Sequence, residues 1–167
     1  GPNNVKQGDN DFVKDEGDTI ITGESDKNTV TIEAENENDK VEVKLEDVNI
    51  KTTGGKAAVS VTGKGDTTIE LNGDNELSGS GAHAALEHNQ TVDGEGNVTS
   101  GELTIQDKDK NGSLTATGGI QNGAGIGAGG YRVSSGKIEI TGGDITAIGG
   151  KSAAGIGGSG RGDADIT

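Results

Sequence analysis

Short segments in which polar and apolar residues alternate recur along this chain between glycine-rich turns. This repeat restricts the fold more than any other feature of the sequence. Each segment places aliphatic or β-branched residues two apart, which is the period of a β-strand. Examples are TVTIEA at 29–34, VEVKL at 41–45, TTIEL at 67–71 and KIEI at 137–140. Helix signals are nearly absent, since only AHAALEH at 82–88 could form one helical turn. We therefore expect an all-β chain.

Four longer units repeat one order of features: a Gly-rich turn, a strand of small apolar residues, a loop of variable length and an alternating strand. They cover residues 54–71, 79–105, 118–140 and 149–167. A further strand lies between successive units, so each unit holds about three short strands. Strands that pair with their equivalents one repeat later, about 4.8 Å away, form a parallel β-helix. The predicted fold is therefore a solenoid with about three short strands per coil.

The alternation also predicts which side chains stack inside the solenoid. We expect three inward-facing pairs to lie over one another: Ile138 and Ile140, Leu103 and Ile105, and Ile69 and Leu71. The Ala-Gly-Ile-Gly segments at 124–127 and 154–157 should pair in the same way. The loops differ in length, so they should bulge from the coil into solvent.

Composition limits the core and the partners. The 167 residues suffice for one domain, but they include 32 Gly, one Phe and one Tyr, and no Trp, Met or Cys, so the core must be thin and built from Ile, Val, Leu and Ala. Without cysteine there is no disulfide or thiolate metal site. The net charge of −14 argues against binding to nucleic acid or to anionic membrane surfaces and favours divalent cations.

Three segments are expected. Residues 1–2, Gly-Pro, have the pattern left by proteolytic removal of an expression tag. Residues 3–40 are more acidic and repeat less clearly, which indicates N-terminal coils or a cap. Residues 41–167 form the regular coils. The chain stops in mid-repeat at Thr167, which predicts a fragment truncated at its C-terminus.

Two stretches resemble a known group of proteins. GKIEITGGDITAIGGKSAAGIGGSG at 136–160 is similar to the Gly-rich parallel β-helix repeats of wall-anchored surface adhesins of Gram-positive bacteria. DKVEVKLEDVNIKTTGGKAAVSV at 39–61 resembles the carbohydrate-binding-domain family within that group. The resemblance implies a right-handed β-helix shaped like pectate lyases, an extracellular location on a bacterial cell wall, and in some members calcium-assisted binding of acidic polysaccharide. No membrane insertion is expected.

The triplet Arg161-Gly162-Asp163 resembles the Arg-Gly-Asp motif of integrin ligands. A guanidinium fork can bind a carboxylate of the receptor, and a carboxylate can complete the ligand shell of a metal ion that the receptor holds. Gly162 keeps the centre of the triplet small. The alternative is a polar turn with no ligand, and Gly-Lys-Gly-Asp at 63–66 shows that a basic-Gly-acid turn is partly a habit of this repeat.

The stretch DKDKNG at 107–112 matches the opening of a calcium loop through Asp107, Asp109 and Asn111. Alternating oxygen ligands in a tight loop suit Ca²⁺. Position 12 of that pattern would be Gly118 rather than Glu, so a plain polar turn is the alternative.

Catalysis is not expected. His83, Glu87, His88 and Asp93 are the candidate acid–base residues, but the spacing of the histidines is not that of a helical metal pair, and no nucleophile–base signature occurs. Three functions stay open: adhesion to a host integrin through Arg161–Asp163, calcium-assisted binding of acidic polysaccharide, and a passive surface stalk.

Overall fold

The structure, a computed structural model, describes residues 4–10, 13–17 and 19–167. The expected tag remnant at 1–2 lies outside these residues. Within the described ranges the secondary structure consists of β-strands, and no helix occurs. The strands are β1 (Val5–Gln7), β2 (Thr19–Ser25), β3 (Val30–Glu33), β4 (Lys40–Lys51), β5 (Val59–Thr62), β6 (Asp66–Ser78), β7 (Leu86–Glu87), β8 (Leu103–Gln106), β9 (Gly112–Thr117), β10 (Ile126–Gly127), β11 (Lys137–Ile140), β12 (Asp144–Ile148), β13 (Ile156–Gly157) and β14 (Asp165–Ile166).

The strands form two sheets between which the chain alternates. The first sheet has the order β1-β3-β5-β7-β10-β13. In the second sheet β2 pairs with β4 and β4 with β6, and the sheet then divides. The first half of β6 pairs with β8 and its second half with β9. β8 is followed by β11 and β14, and β9 by β12. Every pair of strands is parallel except β1–β3, which is antiparallel.

The predicted right-handed parallel β-helix, with about three short strands per coil, is wrong. The strands lie in two largely parallel sheets rather than around a closed solenoid. β4 and β6 have 12 and 13 residues, and each runs through positions where two separate short strands were expected. The helical turn considered at 82–88 is replaced by β7, which pairs between β5 and β10.

A bulge explains why β4 remains one strand. The pairing register of β4 shifts between Glu46 and Asn49, and Asp47 there has a positive φ of 51°. The buried side chain of Asn75 accepts a hydrogen bond from the Val48 N–H (2.9 Å) and donates to the Leu45 carbonyl (3.3 Å). The side chain thus satisfies backbone groups that the bulge takes out of the ladder, and the strand bends without ending.

The register confirms one part of the predicted stacking and corrects another. Ile138 pairs with Leu103 and Ile140 with Ile105, as the alternation predicted. In the next layer Leu103 lies beside Thr67 rather than Ile69. The prediction was wrong by two residues there, because a shift of two leaves the inward face unchanged. The repeated Ala-Gly-Ile-Gly segments at 124–127 and 154–157 do pair, through β10 and β13.

One hydrophobic core lies between the sheets. It is made of Val, Ile, Leu and Ala from both sheets, and most of its side chains are completely buried. Thr67 is an exception in this core, because its buried hydroxyl oxygen has no hydrogen-bond partner among the described residues.

Candidate functional site

The candidate site lies at one corner of the fold, where the chain passes from a strand of the first sheet to the next strand of the second. From β3 onward, successive passes cross this corner through five loops: 34–39, 63–65, 88–102, 128–136 and 158–164. Hydrogen bonds between the loops join one layer to the next. The Gly101 N–H donates to the Gly63 carbonyl (3.0 Å), and the Ser135 N–H donates to the Asp163 carbonyl (2.9 Å). The loops are therefore stacked, and each has a fixed neighbour.

Arg161 lies in a tight turn. The N–H of Gly162 donates to the carbonyl of Ser159 (2.8 Å), which closes a four-residue turn around Gly160 and Arg161. Arg161 has a φ of 60°, the left-handed region that a turn of type II requires at this place and that glycine usually provides. The strained arginine is held there by the hydrogen bonds on both sides of it.

Gly162 is pressed against the loop of the preceding layer. A Cβ atom at Gly162 would lie 1.9 Å from the carbonyl oxygen of Val133, so no other residue fits without movement of the backbone. Ser159 fastens the same contact, since its N–H donates to the Val133 carbonyl (3.1 Å) and its hydroxyl accepts from the Val133 N–H (2.9 Å). The backbone of Gly162 is thus part of the stack of hydrogen-bonded loops at this corner, which we call the wall.

The two charged side chains of the triplet lie outside that wall. Arg161 and Asp163 are both exposed. In the described part of the chain neither side chain forms an ion pair or a hydrogen bond; the Asp163 carbonyl, by contrast, accepts from Ser135. Both charges are available to a partner in solution.

The predicted calcium loop has its first carboxylate turned inward. The two oxygens of Asp107 accept hydrogen bonds from the backbone N–H groups of Asn111 (3.2 Å) and Gly112 (2.9 Å). The amide of Asn111 donates to Asn72 Oδ1 (2.6 Å), while Asp109 is exposed on the same turn. Among the described residues no group of three or more His, Cys, Asp or Glu side chains is arranged to hold a metal ion. Calcium at this loop stays a prediction.

The four candidate acid–base residues do not converge. His83 Nδ1 lies 3.0 Å from Glu87 Oε1, and these two form a pair. His88 is buried elsewhere in the wall, with its ring nitrogens 3.1 Å from the Val61 carbonyl and 2.8 Å from the Gly101 carbonyl.

Asp93 is at the tip of the hairpin within 88–102, away from these pairs. Its carboxylate accepts hydrogen bonds from the backbone N–H groups of Asn97 and Glu95. These bonds hold the pKa of Asp93 below its usual value of 3.8. Its role in the hairpin is therefore to hold the turn.

Two features of the surface were missed by the sequence analysis. The first is Arg132, which lies at the same corner beside the exposed Tyr131 ring, its guanidinium 5.4 Å from the ring centroid. The chain has only two arginines, and this count was the signal that could have drawn attention to both. The second is a groove of 410 Å³ on the outer face of the second sheet. Its charged and amide lining consists of Glu42, Lys44, Glu70, Gln106, Lys108 and Asp109.

Comparison with family models, with curated proteins and with solved structures gave no match. In the described part of the chain, no helix is long and apolar enough to cross a membrane. The exposed residues of the corner and of the groove are accordingly the basis for inferring a function.

Proposed function

We propose that this chain is a non-catalytic adhesion module of a bacterial cell surface that presents Arg161, Gly162 and Asp163 to a host integrin. The observation that carries the proposal is the exposure of both charged side chains, without a partner among the described residues, on a backbone that is fixed. The guanidinium is suited to a receptor carboxylate, and the Asp163 carboxylate to a metal ion that the receptor holds.

The fixed backbone favours binding for an energetic reason. A flexible loop loses conformational entropy when it binds, and that loss weakens affinity. Here the contact of Gly162 with Val133 and the hydrogen bond from Gly162 to Ser159 already restrict the turn. Only the side chains of Arg161 and Asp163 would have to be ordered by a receptor.

The chain contains its own control in the turn Lys64-Gly65-Asp66. It crosses the same corner several layers earlier, with the same basic-Gly-acid order. There the aspartate already has a partner within the fold, because Asp66 Oδ1 accepts a hydrogen bond from the Glu102 N–H (2.9 Å). Changes at Asp66 should therefore leave integrin binding unaffected.

A solid-phase binding assay against a panel of integrins tests the proposal. Asp163→Glu should abolish binding, because the added methylene moves the carboxylate out of reach of the metal. Asp66→Glu, the same change in the control turn, should bind like the wild type. Wild-type binding that survives Asp163→Glu, or the absence of binding to every integrin of the panel, would refute the proposal.

The second candidate is a calcium-assisted polysaccharide-binding module. The groove on the second sheet favours it, since carboxylates, amines and an amide line one cleft, including Asp109 of the predicted calcium loop. Binding to a uronate polymer that chelator abolishes, and that ignores Asp163→Glu, would support this function. Absence of binding in both assays would leave a passive stalk.

A further inference from the structure

The two arginines of the chain occupy matching positions in adjacent layers of the corner. Tyr131 pairs in parallel with Gly160, and the N–H of Arg132 donates to the carbonyl of Gly160 (2.7 Å), which brings Arg132 beside Arg161. Their φ angles are 58° and 60°, so both residues lie in the left-handed region. Neighbouring strands are about 4.8 Å apart, and this spacing sets the distance between the two positions.

Neither guanidinium has a carboxylate partner in the described part of the chain. The chain has 28 acidic and 14 basic residues, so a carboxylate for each arginine would be easy to supply. The ion pairs that do form there lie elsewhere, as between Lys137 and Glu102 (3.6 Å). Two positive charges on adjacent layers repel each other, and an anion bound between them would relieve this repulsion.

We infer that Arg132 and Arg161 form a binding site for a tetrahedral oxyanion, that is, a sulfate or phosphate group on a partner molecule. A planar carboxylate matches one guanidinium fork in a bidentate contact. A tetrahedral group has oxygens that point in several directions, so it can accept hydrogen bonds from two forks on neighbouring layers at once. The Tyr131 ring lies against the Arg132 guanidinium and holds it at the edge of the site.

Asp163 distinguishes this site from the integrin proposal, on which the inference does not rest. Its exposed carboxylate lies two residues from Arg161 and repels an approaching anion. Removing that charge should therefore strengthen oxyanion binding, whereas it should abolish integrin binding. Arg132 should matter for the oxyanion and should be dispensable for the integrin.

The two-arginine composition allows a direct experiment by NMR. A ¹H–¹⁵N spectrum of the protein contains only two arginine Nε–Hε signals, one for each side chain. Sodium sulfate and sodium phosphate are titrated in separate arms, with sodium chloride at equal ionic strength as the control. Both signals should shift with one common Kd in the sulfate arm, the phosphate arm or both, and the arm with the lower Kd identifies the preferred group. Signals that shift separately, or equally with chloride, would overturn the inference.

Matched charge removals locate the site. Arg132→Gln should weaken binding of the preferred oxyanion about tenfold or more, because one charge-assisted fork is lost. Lys151→Gln removes the same charge from an exposed residue outside the pair and should change the Kd less than about twofold. Asp163→Asn should lower the Kd. Equal effects of Arg132→Gln and Lys151→Gln would show a general charge effect and overturn the inference.

Discussion

Two turns with the same basic-Gly-acid order cross the same corner of the molecule and differ in the role of their aspartates. In the turn at 64–66 the carboxylate of Asp66 accepts a hydrogen bond from Glu102 of the following layer. In the turn at 161–163 the carboxylate of Asp163 is exposed and has no partner among the described residues. Both glycines touch backbone of a preceding layer, Gly65 at Asn36 and Asp39 and Gly162 at Val133. The glycine is thus a structural requirement of the turn, while the role of the acid depends on the layer beside it.

Substitution of Gly65 or Gly162 by alanine should change the free energy of unfolding most. A Cβ at Gly65 would lie 2.5 Å from two carbonyl oxygens, and the layer of Gly101 covers the other side, so relief is difficult. We expect Gly65→Ala to lower the free energy of unfolding by about 2–3 kcal/mol and Gly162→Ala, which is covered less, by about 1–2 kcal/mol. Urea denaturation measures both values.

Gly94 provides the control for these alanine variants. Its Cβ would point into open space in the exposed hairpin, so Gly94→Ala should change the free energy of unfolding by less than about 0.5 kcal/mol. A loss at Gly94 as large as the loss at Gly65 would mean that the interlayer contact is not the cause.

Substitution of the aspartates should show the difference in stability between the two turns most directly. Asp66→Ala removes the acceptor of the Glu102 N–H and should lower the free energy of unfolding by about 1 kcal/mol. Asp163→Ala should change it by less than about 0.5 kcal/mol. Equal losses in urea denaturation would contradict the assignment of Asp66 as structural and Asp163 as available.

One inward-facing strand position also differs in burial from layer to layer. Thr67 and Ile166 occupy the same inward position in different layers, linked through Leu103 and Ile138. Thr67 is buried with an unsatisfied hydroxyl, whereas Ile166 is 38% exposed. Thr67→Val should therefore raise the free energy of unfolding by about 0.5–1 kcal/mol, because it removes a buried polar atom and keeps the shape.

Thermal unfolding followed by circular dichroism measures this gain. Thr68→Val, on the half-buried outer face of the same strand, is the matched control and should be close to neutral. A loss of stability in Thr67→Val would indicate a partner for the hydroxyl that the structure lacks.

The smallest effect concerns Asp93, in a third loop of the same corner. Hydrogen bonds from Asn97 and Glu95 lower the pKa of its carboxyl group below 3.8 in the folded hairpin. A lowered folded-state pKa stabilises the hairpin above pH 3.8, and this contribution is lost as the pH falls through the folded pKa. An NMR titration of the carboxyl carbon should give a midpoint below 3.8, and Asp93→Asn should remove the pH dependence of the Asn97 amide signal. A midpoint at or above 3.8 would contradict this role.

The inward faces of the strands could be predicted from the sequence, whereas the number of strands could not. Alternation identified Ile69 and Leu71 of β6 and Leu103 and Ile105 of β8 as inward-facing, and the repeated Ala-Gly-Ile-Gly segments identified the pairing of β10 with β13. It did not show that β4 continues past Asp47, because the bulge depends on the side chain of Asn75, which is 28 residues later in the chain. Local breaks in alternation therefore look like strand ends when a distant residue in fact bridges them.

Only part of the candidate site could be predicted from the sequence. The triplet Arg161–Asp163 could be found by inspection, but the neighbourhood of Arg132 and Arg161 could not. Residues 29 apart become neighbours only through the register of two loops of unequal length. The inward turn of Asp107 was equally hidden, since a carboxylate that caps its own turn and one that binds a metal share the same local pattern.

The sequence by itself determined that the chain is built of strands and which side of each strand faces inward, because polar and apolar residues alternate with the period of two that a strand requires. Only the tertiary structure decided the register, the division into two sheets and the availability of each charged side chain. A shift of two residues preserves the alternation, so the choice between registers falls to contacts between layers, such as Gly162 against the Val133 carbonyl. Those contacts also determine which acids are used within the fold and which remain free to bind a partner.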